Sequence, residues 1–312
     1  MLVIRMIAGS MVIAACLLFG GQANSQDSDT QRDFIAVVSP DQTRLAYYSY
    51  RAGASPDIFL MDLSNGTEVN LTNTDDLWEI EPTWSPDGKY LAFAIGTSMR
   101  SLQIFALDMV DRNLAQYTDD EGANSRPVYS PDGRYLFYHQ RIDDEHAYIN
   151  RIDLESGDRV RLTDGQLLST SPFVSPDGRT IAYIGTNPAS RKADIYLMNI
   201  DGSSRRRVVD SEIDERSARF TPDGNHLLVA MQPDNENTGL FLINLEDLHF
   251  RRLSTTDDAH SYSANFSPDG KFVYYDIGTW DGDFFIYRSN FDYDPLRPVR
   301  VTGGDSAGVF PN

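Results

Sequence analysis

Residues able to do chemistry gather at one recurring place in this sequence, shortly before the tetrapeptide Ser/Thr-Pro-Asp-Gly. Trp78, Glu79 and Glu81 precede one copy, Asn124 and Arg126 the next, Ser169 and Ser171 a third. Asp214, Glu215 and Arg216 precede a fourth, and His260 and Tyr262 a fifth. Carboxylates, guanidiniums, an imidazole and a phenol could together supply acid–base groups or a hydrogen-bonding surface for a ligand. Trp78 stands out in the polar stretch "TDDLWEIEP", because no sister copy has a Trp there and exposed Trp is favoured at interface hot spots. The alternative is that Trp78 covers an edge of the fold.

Other chemistry is weakly signalled. The five histidines (His139, His146, His226, His249, His260) are scattered, with no H-x-x-H or H-E-x-x-H pair to build a zinc site. Acidic pairs at Asp75-Asp76, Asp119-Asp120 and Asp257-Asp258 could hold Ca²⁺ or simply cap turns. No other cofactor is expected. "GDSAG" (Gly304–Gly308) matches G-x-S-x-G, but a nucleophile elbow needs a strand before it, a helix after it and partners in further chain, and this sequence ends four residues later. No Gly-rich phosphate loop is present.

The elements that must position these groups are repeated. "WSPDGKYLAF" (Trp84–Phe93), "YSPDGRYLFY" (Tyr129–Tyr138), "FVSPDGRTIAY" (Phe173–Tyr183), "FTPDGNHLLV" (Phe220–Val229) and "FSPDGKFVYY" (Phe266–Tyr275) share one pattern, and "VSPDQTRLAY" (Val38–Tyr47) is a worn copy. Their Ser/Thr residues stand at 39, 85, 130, 175, 221 and 267, a period of 45 or 46 residues. Within a period, short runs rich in aromatic and β-branched residues alternate with turns, and no segment keeps a helical period. Asn65-Gly66, Ser156-Gly157 and Asp201-Gly202 mark the later hairpins. Each copy therefore reads as four antiparallel strands, and six such units form a six-bladed, all-β propeller. The residue before each turn (Trp84, Tyr129, Phe220, Phe266; Val174 and Val38 in the other two) is expected between blades. The turn aspartates Asp87, Asp132, Asp177, Asp223 and Asp269 are expected to cap turns on separate blades, not to converge.

The two ends add a targeting signal and a topological question. One positive charge in Met1–Arg5, an apolar Met6–Phe19 too short to span a bilayer comfortably, and small residues at "GGQANSQ" read as a secretory signal over 1–25, with cleavage after Ala23 or Ser25. "IAAC" (Ile13–Cys16) also fits a lipoprotein box that would place a lipid anchor on Cys16. Residues 26–312 then form one propeller domain. Loss of Arg5, the only charged residue of 1–25, takes the net charge from −19 to −20 and removes the sole cysteine. About 290 residues can be stable by core burial alone. So acidic a chain argues against nucleic acid and anionic membrane as partners. "FIAVV" (Phe34–Val38) and the tail "VTGGDSAGVFPN" (Val301–Asn312) both resemble an innermost strand and compete for one slot.

The full period resembles the WD40-like repeats of the TolB-like family, through Pro82–Phe93, "DIFLMDLSNGTEVNLT" (Asp57–Thr72) and "DIYLMNIDG" (Asp194–Gly202), over about residues 34–302. The resemblance implies a propeller of the bacterial cell envelope. The family's namesake also carries an N-terminal α/β domain for which this sequence leaves no room, so the propeller carries over and the Tol role does not. The expectation is an exported, periplasmic or membrane-anchored propeller that binds an envelope protein or cell-wall component without catalysis. The alternative is a carbohydrate-active lyase or hydrolase at the tunnel mouth. Related propeller lyases acting on pectic oligosaccharides use a histidine cluster and a metal there, and only His260 falls at such a position.

Overall fold

A computed structural model describes residues 31–208, 214–232, 238–253, 260–279, 282–292 and 296–303. Residues 1–25, read above as a secretory signal, with Cys16, the pair Asp257-Asp258 and "GDSAG" lie outside the described residues. Six sheets of four antiparallel strands follow one another along the chain, with strands laid down in sequence order in every sheet. Blade 2 is representative. Its strands are Trp78–Trp84, Tyr90–Gly96, Gln103–Asp108 and Leu114–Gln116, paired as Trp84↔Leu91, Leu91↔Leu107 and Leu107↔Leu114. The innermost strands of the six blades are Asp33–Val38, Trp78–Trp84, Ala123–Tyr129, Leu168–Val174, Asp214–Phe220 and Ala264–Phe266.

The last residue of each innermost strand packs against the blade before it. Trp84 meets Ala46, Ile58 and Leu60 of blade 1, and Tyr129 meets Ala92 and Ile104 of blade 2. Val174 meets Phe137 and Ile149, Phe220 meets Ala182 and Ile195, and Phe266 covers Leu228 and Ala230. Val38 meets Tyr274 and Ile286 of blade 6, which closes the ring. The "FIAVV" segment thus fills the contested slot. Gln31 and Arg32 continue it along Phe284 of blade 6, with the Phe284 N–H donating to the Gln31 carbonyl at 2.8 Å.

The repeated turn organises the opposite rim. In blade 3 the Ser130 hydroxyl donates to Asp132 Oδ1 at 2.5 Å, the Arg134 N–H donates to the same oxygen at 3.0 Å, and the Tyr135 N–H donates to Ser130 Oγ at 2.8 Å. The same bonds recur in every copy from Asp41 to Asp269. The turn glycines are left-handed (Gly88 φ 71°, Gly133 φ 73°), and each faces the turn proline of the preceding blade: Gly88 faces Pro40, Gly133 Pro86, Gly178 Pro131, Gly224 Pro176 and Gly270 Pro222. A Cβ on Gly270 would lie 2.7 Å from the Pro222 ring. The repeat is written six times because it makes one turn and one interblade contact per blade.

The threonine that recurs at the end of several periods has an equally local task. The Thr72, Thr118, Thr163 and Thr302 hydroxyls accept the N–H of Ile58, Ile104, Ile149 and Ile286 at the start of the third strand. These bonds satisfy strand-end donors that the short fourth strand does not reach. Blade 6 departs from the pattern: its innermost strand has three residues, and His260 joins Gly278 by an isolated bridge. The N–H groups of Tyr262 and Ser263 donate instead to the buried Asp276 carboxylate, at 2.6 and 3.2 Å, and the Ser263 hydroxyl donates to its second oxygen at 2.7 Å.

Candidate functional site at the tunnel mouth

Strand pairing puts the linkers between blades at the same end as the loops between second and third strands, away from the Ser-Pro-Asp-Gly turns. All the candidate residues lie at this end. Position before an innermost strand reads in the sequence as tunnel-mouth loop, but Trp78, Glu79 and Glu81, then Asn124 and Arg126, then Asp214, Glu215 and Arg216 lie on innermost strands, and only His260 and Tyr262 lie outside one. Each of the first four innermost strands carries a bulge here, with a left-handed residue at Ile35 (φ 49°), Glu81 (φ 59°), Arg126 (φ 52°) and Ser171 (φ 54°). None of the four is glycine, so each accepts a sparsely populated conformation, and the bulge re-aims its side chain.

The bulge divides the candidates. Five residues before the end of each of the first five innermost strands stand Asp33, Glu79, Asn124, Ser169 and Glu215, all buried. Glu79 turns into blade 1, where Thr74 Oγ1 donates to its carboxyl at 2.9 Å and Thr72 Oγ1 at 3.3 Å. Burial pushes its pKa up to about 8; the bonds from Thr74 pull it down, and the charge of neighbouring Asp57 adds to the rise. Asn124 Nδ2 donates to Gln103 Oε1 of blade 2 at 2.9 Å. These are contacts between blades.

Other candidates lie nearer the mouth, Glu81 and His260 among them being buried. Glu81 and Arg126 pair across blades 2 and 3, with Arg126 Nε 3.0 Å from Glu81 Oε1 and the Arg126 N–H donating to Oε2 at 2.7 Å. Arg216 is exposed and donates to Gln232 Oε1 at 2.6 Å, while the side chain of Asp214 lies outside the description. The rings of His260 and Tyr262 stack at 5.7 Å with an interplanar angle of 8°. His260 Nδ1 accepts the Thr238 N–H at 3.2 Å, which leaves the ring proton on Nε2. Burial, then the charge of Arg216, lowers the His260 pKa, and burial raises that of Tyr262 to about 12.

These rings belong to a longer series. Tyr262 meets Phe284 at 5.7 Å, Phe284 meets Phe34 at 4.9 Å, and Phe34 stacks on Tyr48 at 5.5 Å. Tyr48 meets Tyr50 at 6.3 Å, and Tyr50 meets Trp78 edge-on at 6.1 Å. Seven rings, from His260 to Trp78, run along the rim from blade 6 across blade 1 to blade 2. Phe34, Tyr48, Tyr50, Trp78 and Tyr262 are each half-buried. Only Trp78, His260 and Tyr262 of this arc were legible as candidates. Phe34, Tyr48 and Tyr50 sit in strand text that reads as ordinary core.

Below the rim one position of the repeat, immediately before the interblade residue, changes type from blade to blade: Val37, Thr83, Val128, Phe173, Arg219 and Asn265. Arg219 lies over the Phe173 ring at 3.7 Å, and its Nε donates to Asn265 Oδ1 at 3.0 Å. Asn265 Nδ2 donates to the Ala36 carbonyl of blade 1 at 3.0 Å. Sequence reading missed Arg219. Its signal was that no other copy has a charged residue at this position.

One acidic pair is occupied by an arginine of the next blade. Arg159 Nη1 lies 2.9 Å from Asp119 and 2.8 Å from Asp120. Among the described residues, no group of three or more His, Cys, Asp or Glu side chains is placed to hold a metal ion. Nor is any helix among them long and apolar enough to cross a membrane.

Repeat, ring and turn geometry find their match in the family model for the TolB β-propeller domain, which fits residues 30–165 and again 139–309. The chain belongs to the TolB β-propeller family. No curated protein matches it. Among solved structures, the TolB-like propeller is similar to TolB from Acinetobacter baumannii, at 19% identity and a TM-score of 0.62, over 85% of this chain and 62% of that one. It thus spans less than two thirds of that protein. It is similar to a putative TolB from Agrobacterium tumefaciens at 18% identity and TM-score 0.62, over 87% and 89% of the two chains. An oligogalacturonate lyase in complex with manganese is similar at 19% identity and TM-score 0.59, over 84% and 75%. Identities this low speak for the fold alone.

Proposed function

We propose that this TolB-like propeller is an exported, periplasmic or lipid-anchored protein that binds an envelope protein or cell-wall component at the tunnel mouth and catalyses no reaction. The observation that carries the reading is the seven-ring arc from His260 to Trp78. His260 and Phe284 are buried within it, and the five half-buried rings offer large, rigid contact area at little entropic cost, which favours binding sites. Trp78 ends the arc and is the natural anchor. A cross-linking pull-down from envelope extract with the tagged protein tests this. The partner retained by the unmodified protein is expected to be lost from Trp78→Ala. Equal retention by both removes the arc as the site.

A second reading has its own support. The likeness to the manganese-bound oligogalacturonate lyase and the stacked His260–Tyr262 pair both fit a carbohydrate lyase or hydrolase at the mouth. Turnover on an oligosaccharide panel that disappears in His260→Ala favours it. Lack of turnover by the unmodified protein, with and without added manganese or calcium, eliminates it.

A further inference from the structure

The tunnel holds a buried cation with no partner of opposite charge. Arg219 is 7% exposed. Among the described residues its guanidinium makes no ion pair: Nε bonds to Asn265, Nη1 reaches the Ala218 carbonyl at 3.3 Å, and one face rests on Phe173. The nearest candidate counter-ion is committed elsewhere, because both oxygens of Glu81 engage Arg126. The Glu81–Arg126 pair cancels its own charge and leaves one net positive charge from Arg219. Burial, then repulsion by Arg126, lowers the Arg219 pKa to about 9. A desolvated guanidinium without a counter-ion is costly, and a charge-assisted bond to it is correspondingly strong.

The ring stack fixes the plane of this guanidinium, while the bonds to Asn265 and Ala218 fix its inner edge. What remains is the outer edge, the two N–H groups of Nη2 and the second of Nη1. That fork matches the two oxygens of a carboxylate. We propose that Arg219 is a binding subsite for a single carboxylate group of a ligand that enters the tunnel. A monoanion suits the one unmatched positive charge, whereas a phosphate dianion would place its second charge near Glu81. This inference goes beyond the rim reading and needs no envelope partner for its test.

The probe is acetate, titrated against chloride at constant ionic strength and read as a shift in Tm. The unmodified protein is expected to be stabilised by acetate, and less by phosphate. Arg219→Met keeps an apolar stem against Phe173 and sheds the charge, and its apparent acetate affinity is expected to fall by about tenfold or more. Equal acetate shifts in both proteins, no shift in the unmodified protein, or a larger shift with phosphate overturns the proposal. Should Arg219→Met not fold, a crystal of the unmodified protein grown in acetate decides the matter. Planar density on the Nη1–Nη2 edge supports the subsite, and its absence there overturns it.

Discussion

Glu79 shows how a residue that reads as a site group can serve the fold. Its carboxyl holds a proton up to about pH 8, because burial between blades penalises the charged form. The unfolded chain releases that proton near the ordinary value of 4.5, so over the window between the two values the folded state binds the extra proton. Stability from this group is therefore full below the lower value and is lost as pH rises through the higher one. Asp276 adds the same sign over a narrower window, since burial raises its pKa to about 6. Tm is expected to fall between about pH 5 and about pH 9, and Glu79→Gln to flatten that fall, in a calorimetric pH series. A variant with the unmodified pH profile would contradict the assignment. Neither the burial of Glu79 nor the unmatched charge of Arg219 was legible in sequence, because each depends on which neighbouring blade the side chain meets.

The Ser-Pro-Asp-Gly hairpin is the element most fully specified by local chemistry. Pro presets the first corner, Asp caps the turn and Gly takes the left-handed position. The worn copy tests this: Gln42 occupies the glycine position at φ 58° and carries the strain that glycine avoids. Gln42→Gly is expected to raise stability by about 1 kcal/mol in urea denaturation. A neutral or destabilising outcome would mean that the strain is relieved elsewhere. The innermost strand is specified by packing. Trp84 is buried against blade 1, and its Nε1 donates to the Val37 carbonyl at 3.2 Å. Trp84→Ala is expected to cost about 3–5 kcal/mol in the same assay, because the gap lies between two blades that cannot easily collapse. A loss near 1 kcal/mol would mean that the interface repacks.

Ring closure is a property of the whole molecule. The N-terminal innermost strand Asp33–Val38 hydrogen-bonds within blade 1 and packs against Tyr274 and Ile286 of blade 6, so one segment completes both the first sheet and the last interface. Removing residues 31–38 is expected to abolish the single cooperative unfolding transition followed by circular dichroism, and a transition with an unchanged midpoint would contradict this. The sequence by itself determined the blade number, the four-stranded unit, the turn and the interblade residue, since a 45–46-residue period, hairpin dipeptides and an aromatic at fixed offset are local signals repeated six times. Tertiary structure alone decided which segment fills the contested slot, that Glu79 and Asn124 make contacts between blades, and that Phe34, Tyr48 and Tyr50 join Trp78 and Tyr262 in one arc. Those outcomes depend on contacts between residues tens to hundreds of positions apart, and a repeat pattern describes each blade without saying what it meets.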